Sequence, residues 1–465
     1  MSTRQPKNVI FFFCDQLRYD ALGYAGHSIV KTPNLDKLAE QSINFPNTFC
    51  ASPVCVPARI SLFTGQWAHK QGQMNNCTPI RKGQRMVTEV FKERKYHTAA
   101  IGKLHFFPLE ETKRFDTVLL HDGYGNESAY IQYLNSIDPK LAKFERHAYP
   151  EEGKENVILG KDIYDEKYIE SIIYGTSSIP AEYFYTNWIS DEATKFLNSP
   201  PDIPFFLFVS FVGPHSPFIL PQPYNTLYDP EKIPIPKNFK EDFNKKTRSQ
   251  QRSRKLLGME RVTEKQLREI TALYYAHITL IDEHIGRILD KVNIEDTLII
   301  FSADHGELLG NHGLFYKNYM YDESLRIPLL IHEPSQKRSA DINTLISQID
   351  IMPTVLDLLN IDIPEWVQGN SMKKLIRGEV SEHRDHIYAE ITGSGKDNNP
   401  YLLGYRTKEW LFTYEVYKGK FKDDGELYNL KEDPEQTCNL FSNPKYAPLV
   451  QENKDRLFHW LLHTQ

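Results

Sequence analysis

Cys55-Val56-Pro57-Ala58-Arg59-Ile60-Ser61-Leu62-Phe63-Thr64-Gly65 is the stretch around which the rest of the chain is arranged. Proline is tolerated in a first helical turn and glycine ends helices, so the stretch reads as a short amphipathic helix that opens at Cys55 and stops at Gly65. A cysteine at a helix N-terminus feels the positive end of the macrodipole and unpaired backbone N–H groups. That environment lowers a thiol pKa and also holds oxyanions. A cysteine before a helix is usually a packing residue. What sets Cys55 apart is the whole pattern, Cys-x-Pro-Ala-Arg followed by Thr-Gly.

Moving outward, two apolar runs end in metal-ligand chemistry. Asn8 to Phe13 reads as a buried parallel strand that delivers Asp15-Gln16, and Thr297 to Ala303 as a second that delivers Asp304-His305. Ligands in open α/β sheets collect beyond the carboxyl ends of strands, so neighbouring strands would let these four side chains surround one ion. A third strand, Thr98 to Ile101, leads into Gly102-Lys103-Leu104-His105. An extended backbone there would point Lys103 and His105 to the same face. Phe205 to Phe211 is a fourth strand, whose exit holds His215 between Pro214 and Pro217. Asn75 and Asn76 sit in a polar turn after the cysteine helix, and either amide could meet an anion. Lys317 follows Asn311-His312-Gly313. Leu267, Ile270, Tyr274, Ile278, Ile281, Ile285 and Ile288 recur at helical spacing and predict a long core-facing helix. Asn238 to Lys265, dense in Lys, Arg, Glu and Gln, reads as a solvated, mobile segment able to act as a lid.

Taken together, Cys55-x-Pro57-Ala58-Arg59 with Thr64-Gly65, Gly102-Lys103-x-His105, Pro214-His215-x-Pro217-Phe218, and Lys317 after Asn311-His312-Gly313 resemble the signature order of type I sulfatases. The resemblance runs from the first strand to the last helix, with gaps in the middle. It implies that a maturase oxidises Cys55 to Cα-formylglycine, whose hydrate attacks the sulfur of a sulfate ester. Arg59 would steady that group; Lys103, Lys317 and Asn76 would bind sulfate. His215, also contacting substrate, would protonate the leaving oxygen, and His105 would take the proton that frees sulfate. Asp15, Gln16, Asp304, His305 and the oxygen of the modified Cys55 would hold a divalent cation, Ca2+ by first choice and Mn2+ as the alternative. Gln16 departs from the second aspartate of many members and His305 from an asparagine, which moves the donor set from all oxygen towards mixed oxygen and nitrogen.

The family resemblance also implies an alkaline-phosphatase-like α/β fold. A large, mixed, mostly parallel sheet flanked by helices would occupy residues 1–377. A smaller C-terminal antiparallel sheet with a helix would occupy 378–465, where short aromatic strands (Tyr401 to Tyr405, Trp410 to Tyr414, Glu426 to Tyr428) precede a helix near Tyr446 to Leu462. With 465 residues, 40% of them hydrophobic, the chain can bury a large core. A net charge of −6 offers no basic field for nucleic acid, and no apolar run is long enough to span a membrane. Five cysteines with no Cys-x-x-Cys pair suit reduced thiols, and the opening residues lack signal-peptide character, so a cytoplasmic location is expected. The expected activity is hydrolysis of a small sulfate monoester, with a homo-oligomer as one possible assembly. A phosphonate monoester or phosphodiester hydrolase is the enzymatic alternative, because those relatives share the Asp-Gln/Asp-His set; a non-catalytic anion-binding homologue is the second. Lys103-x-His105 favours sulfate. Choline, sugar and aryl sulfates all stay open as substrates.

Overall fold

Apolar side chains on both faces of a strand demand cover on both faces, and the first strand shows this directly. In β1 (Asn8–Asp15) every residue after Asn8 is buried. Ile10, Phe12 and Cys14 enter one hydrophobic cluster and Val9, Phe11 and Phe13 the other, on the opposite side of the sheet. The computed structural model describes residues 7–73, 75–121, 128–147, 155–161, 168–334, 339–391, 400–417 and 424–465.

The elements that follow β1 are β2 (Ile43–Asn44), α1 (Cys55–Thr64), β3 (His97–Gly102), β4 (Thr117–Leu120), α2 (Tyr185–Asn198) and β5 (Phe205–Pro214). Next come α3 (Arg248–Leu256), α4 (Glu264–Leu289), β6 (Thr297–Ala303), β7 (Leu329–His332), β8 (Ala340–Asp341) and α5 (Ile351–Leu358). Among the described residues, eight strands form one sheet in the order β8-β2-β7-β6-β1-β5-β3-β4. The run from β6 to β4 is parallel, and β7 pairs antiparallel with both its neighbours. Cys14 lies opposite Ala303, so β1 and β6 end side by side.

Helix α4 starts at a capping box between Thr263 and Gln266 and buries the periodic residues Leu267 through Ile288 against one face of the sheet. Helix α1 lies on the other face. It starts at Cys55 and ends at Gly65, whose φ of 62° is the left-handed cap glycine supplies. Its amphipathic reading fails, because all ten of its residues are buried. Phe63 packs edge-on to Phe208 of β5, while the far side is covered by the segment carrying Gln368, whose N–H donates to Gly65 O at 2.8 Å. A helix enclosed on every side has no polar face to show.

The smaller sheet is built from β9 (His386–Ile391), β10 (Tyr401–Thr407), β11 (Trp410–Val416) and β12 (Asp424–Asn429), antiparallel in that order, with α6 (Ala447–His463) packed on it. Trp460 of α6 stacks on Tyr388 with ring centroids 4.5 Å apart, and their cluster takes in Trp67 and Ile349 from the larger body. The segment expected to be a solvated lid is instead docked. Lys246, Thr247 and Gln250 are buried, and Gln250 Nε2 donates to Glu426 Oε2 of β12 at 2.8 Å. Its neutral Ser249 and Gln250 side chains bond buried acids of the small sheet, so charge density alone misread it. Among the described residues no helix is long and apolar enough to cross a membrane.

Candidate active site

The parallel pairing of β1 and β6 brings Asp15 and Asp304 to adjacent strand ends, both fully buried. Two carboxylates in so dry a place need cations, and α1 supplies one. Arg59, one turn after Cys55, is itself wholly buried; its Nε donates to Asp304 Oδ2 at 3.0 Å and its Nη2 to Asp15 Oδ2 at 3.2 Å. Nη1 is held by Lys103 O at 2.6 Å and Ser210 Oγ at 3.1 Å. The guanidinium fork therefore ties α1, β3 and β5 to both carboxylates.

Lys103 Nζ lies 2.6 Å from Asp15 Oδ2. Its backbone N–H donates to Ser210 O, and the preceding Gly102, at φ 101°, passes so close to β5 that a Cβ there would lie 1.9 Å from that same oxygen. Only glycine allows this exit. His105 takes φ 56°, so the extended alternation expected for Lys103 and His105 is absent. The chain coils after β3, yet the His105 side chain still hydrogen-bonds the Cys55 thiol. At the exit of β5, His215 Nε2 sits 2.6 Å from Lys317 Nζ and 4.0 Å from Asp15 Oδ1. Lys317 Nζ also donates to Gln16 Oε1 at 2.5 Å. Asn76 Oδ1 accepts from the Val56 N–H at 3.0 Å, at the start of α1, whereas Asn75 Oδ1 is turned back to the Cys77 N–H. Of the two asparagines, Asn76 is the one whose side chain reaches the start of α1.

Cys55 Sγ stands 3.2 Å from His305 Nε2 and 3.8 Å from Asp15 Oδ1. Burial opposes ionisation of this thiol, but Lys317 and His305, helped by hydrogen bonds from His105 and His215, hold its pKa well below the usual range. Burial and the Cys55 sulfur push the Asp15 carboxyl up; Lys103, His215 and Arg59 outweigh them and keep it below the ordinary carboxylate range. Burial and the neighbouring Asp15 raise Asp304. Burial and the adjacent Lys317 lower His215.

Asp15, Cys55, Asp304 and His305 each offer one donor atom, and these atoms lie within 4.8 Å of one another. The set suits a divalent cation. Two buried carboxylates supply hard oxygen, and His305 Nδ1 faces Gly306 O at 3.0 Å, so its proton belongs on Nδ1 and the Nε2 lone pair faces the cluster. Gln16, whose N–H donates to Asp304 Oδ1 at 2.9 Å, has its Oε1 on Lys317 Nζ.

A family profile described as Sulfatase matches residues 7–361, and a second, described as N-sulphoglucosamine sulphohydrolase, C-terminal, matches residues 310–461. The chain belongs to the sulfatase family. This sulfatase is 31% identical to an arylsulfatase of Clostridium perfringens over 95% of its length and 92% of that relative. It is 29% identical to an ulvan-active sulfatase of Formosa agariphila, over 96% of this chain and 79% of that one. Among solved structures, a phosphonate monoester hydrolase from Silicibacter pomeroyi superposes with a TM-score of 0.80 at 22% identity, covering 99% of this sulfatase and 96% of that chain. At that identity the likeness concerns the fold.

Two buried polar residues of the site escaped sequence reasoning. Ser210 orients Arg59, and its signal was a single hydroxyl inside the apolar run Phe205 to Phe211. Glu307 bonds the Gln16 amide, and its signal was a carboxylate three residues beyond Asp304.

Proposed function

We propose that this sulfatase hydrolyses small organic or carbohydrate sulfate monoesters, with the residue formed from Cys55 as nucleophile. The observation that carries the reading is the buried juxtaposition of Cys55 with Asp15, Asp304 and His305 within 4.8 Å. Oxidation to formylglycine would supply the second oxygen that a thiol lacks, through which a covalent sulfate adduct can be released. A divalent cation, Ca2+ first and Mn2+ as alternative, would supply Lewis-acid stabilisation of the sulfate oxygens. Asp15, Gln16, Asp304 and His305 hold that ion beside position 55. Arg59 keeps the two carboxylates in register. Lys103 and Lys317, with Asn76 at the start of α1, meet the sulfate and offset its charge in a dry site, where such contacts commonly supply several kcal/mol. His215, supplied with a proton by the adjoining Lys317, delivers one to the leaving oxygen, and His105, whose side chain hydrogen-bonds position 55, accepts the proton that frees sulfate.

The test is co-expression with a formylglycine-generating maturase, followed by peptide mass analysis and turnover of nitrophenyl sulfate. The aldehyde mass at Cys55 should accompany activity, and the same preparation should carry stoichiometric calcium, or manganese, by elemental analysis. Equal turnover by protein bearing only the thiol would overturn the reading. The Asp-Gln/Asp-His set supports a second reading, phosphonate ester hydrolysis, so phenyl phosphonate belongs beside nitrophenyl sulfate. A panel of choline sulfate, sulfated monosaccharides and aryl sulfates then identifies the alcohol.

A further inference from the structure

A carboxamide has an accepting face and a donating face, and only its oxygen can bind a cation. At Gln16 the surroundings decide which face is presented. The backbone is pinned first: φ is 68°, the N–H donates to Asp304 Oδ1 at 2.9 Å, and the carbonyl accepts from Tyr274 OH at 2.7 Å. The side chain then lies between two groups of opposite demand. Its Nε2 donates to Glu307 Oε2, and its Oε1 accepts from Lys317 Nζ. A carboxylate only accepts and an ammonium only donates, so a flipped amide would be wrong on both sides at once. Glu307 is fully buried, and its other oxygen accepts the backbone N–H groups of Leu309 at 2.9 Å and Tyr316 at 2.5 Å. It is therefore anchored to both ends of the loop that leads into Lys317.

We propose that Glu307 is a positioning residue: by accepting the Gln16 amide hydrogens it aims Gln16 Oε1 at the cation site, making Gln16 and Glu307 a matched donor–acceptor pair in which neither residue can change alone. The inference rests on the reading of Gln16 as a cation ligand. It also accounts for an amide at position 16, where an acid would face Glu307 oxygen to oxygen.

The experiment compares the wild type, Glu307→Gln, and the polarity swap Gln16→Glu/Glu307→Gln, all co-expressed with the maturase. Calcium and manganese affinity is measured by titration calorimetry on the stripped proteins, beside kcat and KM. In Glu307→Gln an amide NH2 faces an amide NH2; Gln16 must flip and present hydrogens to the ion, and affinity should fall about 10–100-fold, as loss of an outer-sphere partner commonly causes. In the swap, the amide at 307 donates to the acid at 16, whose other oxygen faces the ion, so at least tenfold of the loss should return. Should Glu307→Gln alone not fold, recovery of a folded, ion-binding protein in the swap gives the same answer. Wild-type affinity in Glu307→Gln, or a swap no better than that single variant, overturns the proposal. A wild type that binds neither ion overturns the cation reading itself, and the proposal with it, by a result of a different kind.

Discussion

At the scale of single residues, the surroundings of His215 bear on the proposed chemistry. Its Nδ1 faces Ser216 O and its Nε2 meets Lys317, so the imidazole is held in one tautomeric frame, with a proton donor 2.6 Å away. An acid matters only when the departing oxygen is basic. His215→Ala should therefore lose about 10²- to 10⁴-fold in kcat/KM on alkyl sulfates, but about tenfold or less on nitrophenyl sulfate. Equal losses on both would remove His215 from the role of acid. The roles proposed for Lys103 and Cys55 rest on motifs, whereas the contact made by Ser210 has none. A hydroxyl in an apolar strand acquires meaning only when Arg59, 151 positions earlier in the chain, arrives beside it.

At the scale of elements, helix α3 shows how composition misleads. Its Lys, Arg and Gln content reads as solvated, but Gln250 is 3% exposed and its Nε2 bonds both Glu426 Oε2 at 2.8 Å and Tyr321 OH at 3.1 Å. Ser249 Oγ donates to Glu415 of β11, so the first turn of one helix reaches two buried acids of the small sheet, which also accept from Tyr321, Tyr428 and Tyr417. Truncation would leave Glu426 short of a donor in a dry setting. Gln250→Ala should cost about 1–3 kcal/mol in denaturant unfolding, and an unchanged midpoint would return α3 to the status of a loose lid. The strands were easier to read than this helix. A continuous apolar run has one stable destination, the interior of a covered sheet, while a charged segment can be solvated or internally paired.

At the scale of the whole molecule, packing α4 against both the sheet and α2 buries two histidines, His277 and His284. Burial depresses His277 to about 3, and burial together with Arg287 depresses His284 to about 4. His277 Nε2 meets Thr186 Oγ1 of α2 at 3.2 Å. Both folded values lie below the ordinary value of about 6.5, so between these limits the unfolded chain binds more protons than the native one. Stability should thus be lost as pH falls from about 6.5 towards 4, by up to about 1.4 kcal/mol per pH unit per histidine, and these two groups should leave it flat above neutrality. Guanidinium unfolding across that range checks this, with a shallower slope expected for His277→Gln. A slope unaffected by that substitution would place the acid sensitivity elsewhere.

Strand runs, the long helix, the cap at Gly65 and the order of reactive residues all follow from local chemistry, because apolar periodicity and special backbone positions depend on near neighbours. The meeting of Cys55 with Asp15, Asp304 and His305 does not. It depends on β1 pairing beside β6 across 281 intervening residues of chain, between Asp15 and Thr297, and on α1 being enclosed from both sides. The coil at His105, the contact of Asn76 with the start of α1 and the contact of the Gln16 amide with Glu307 are also tertiary outcomes. Each turns on which donor meets which acceptor in a space too dry for water to correct a mismatch, and such pairings exist only once distant strands have closed around them.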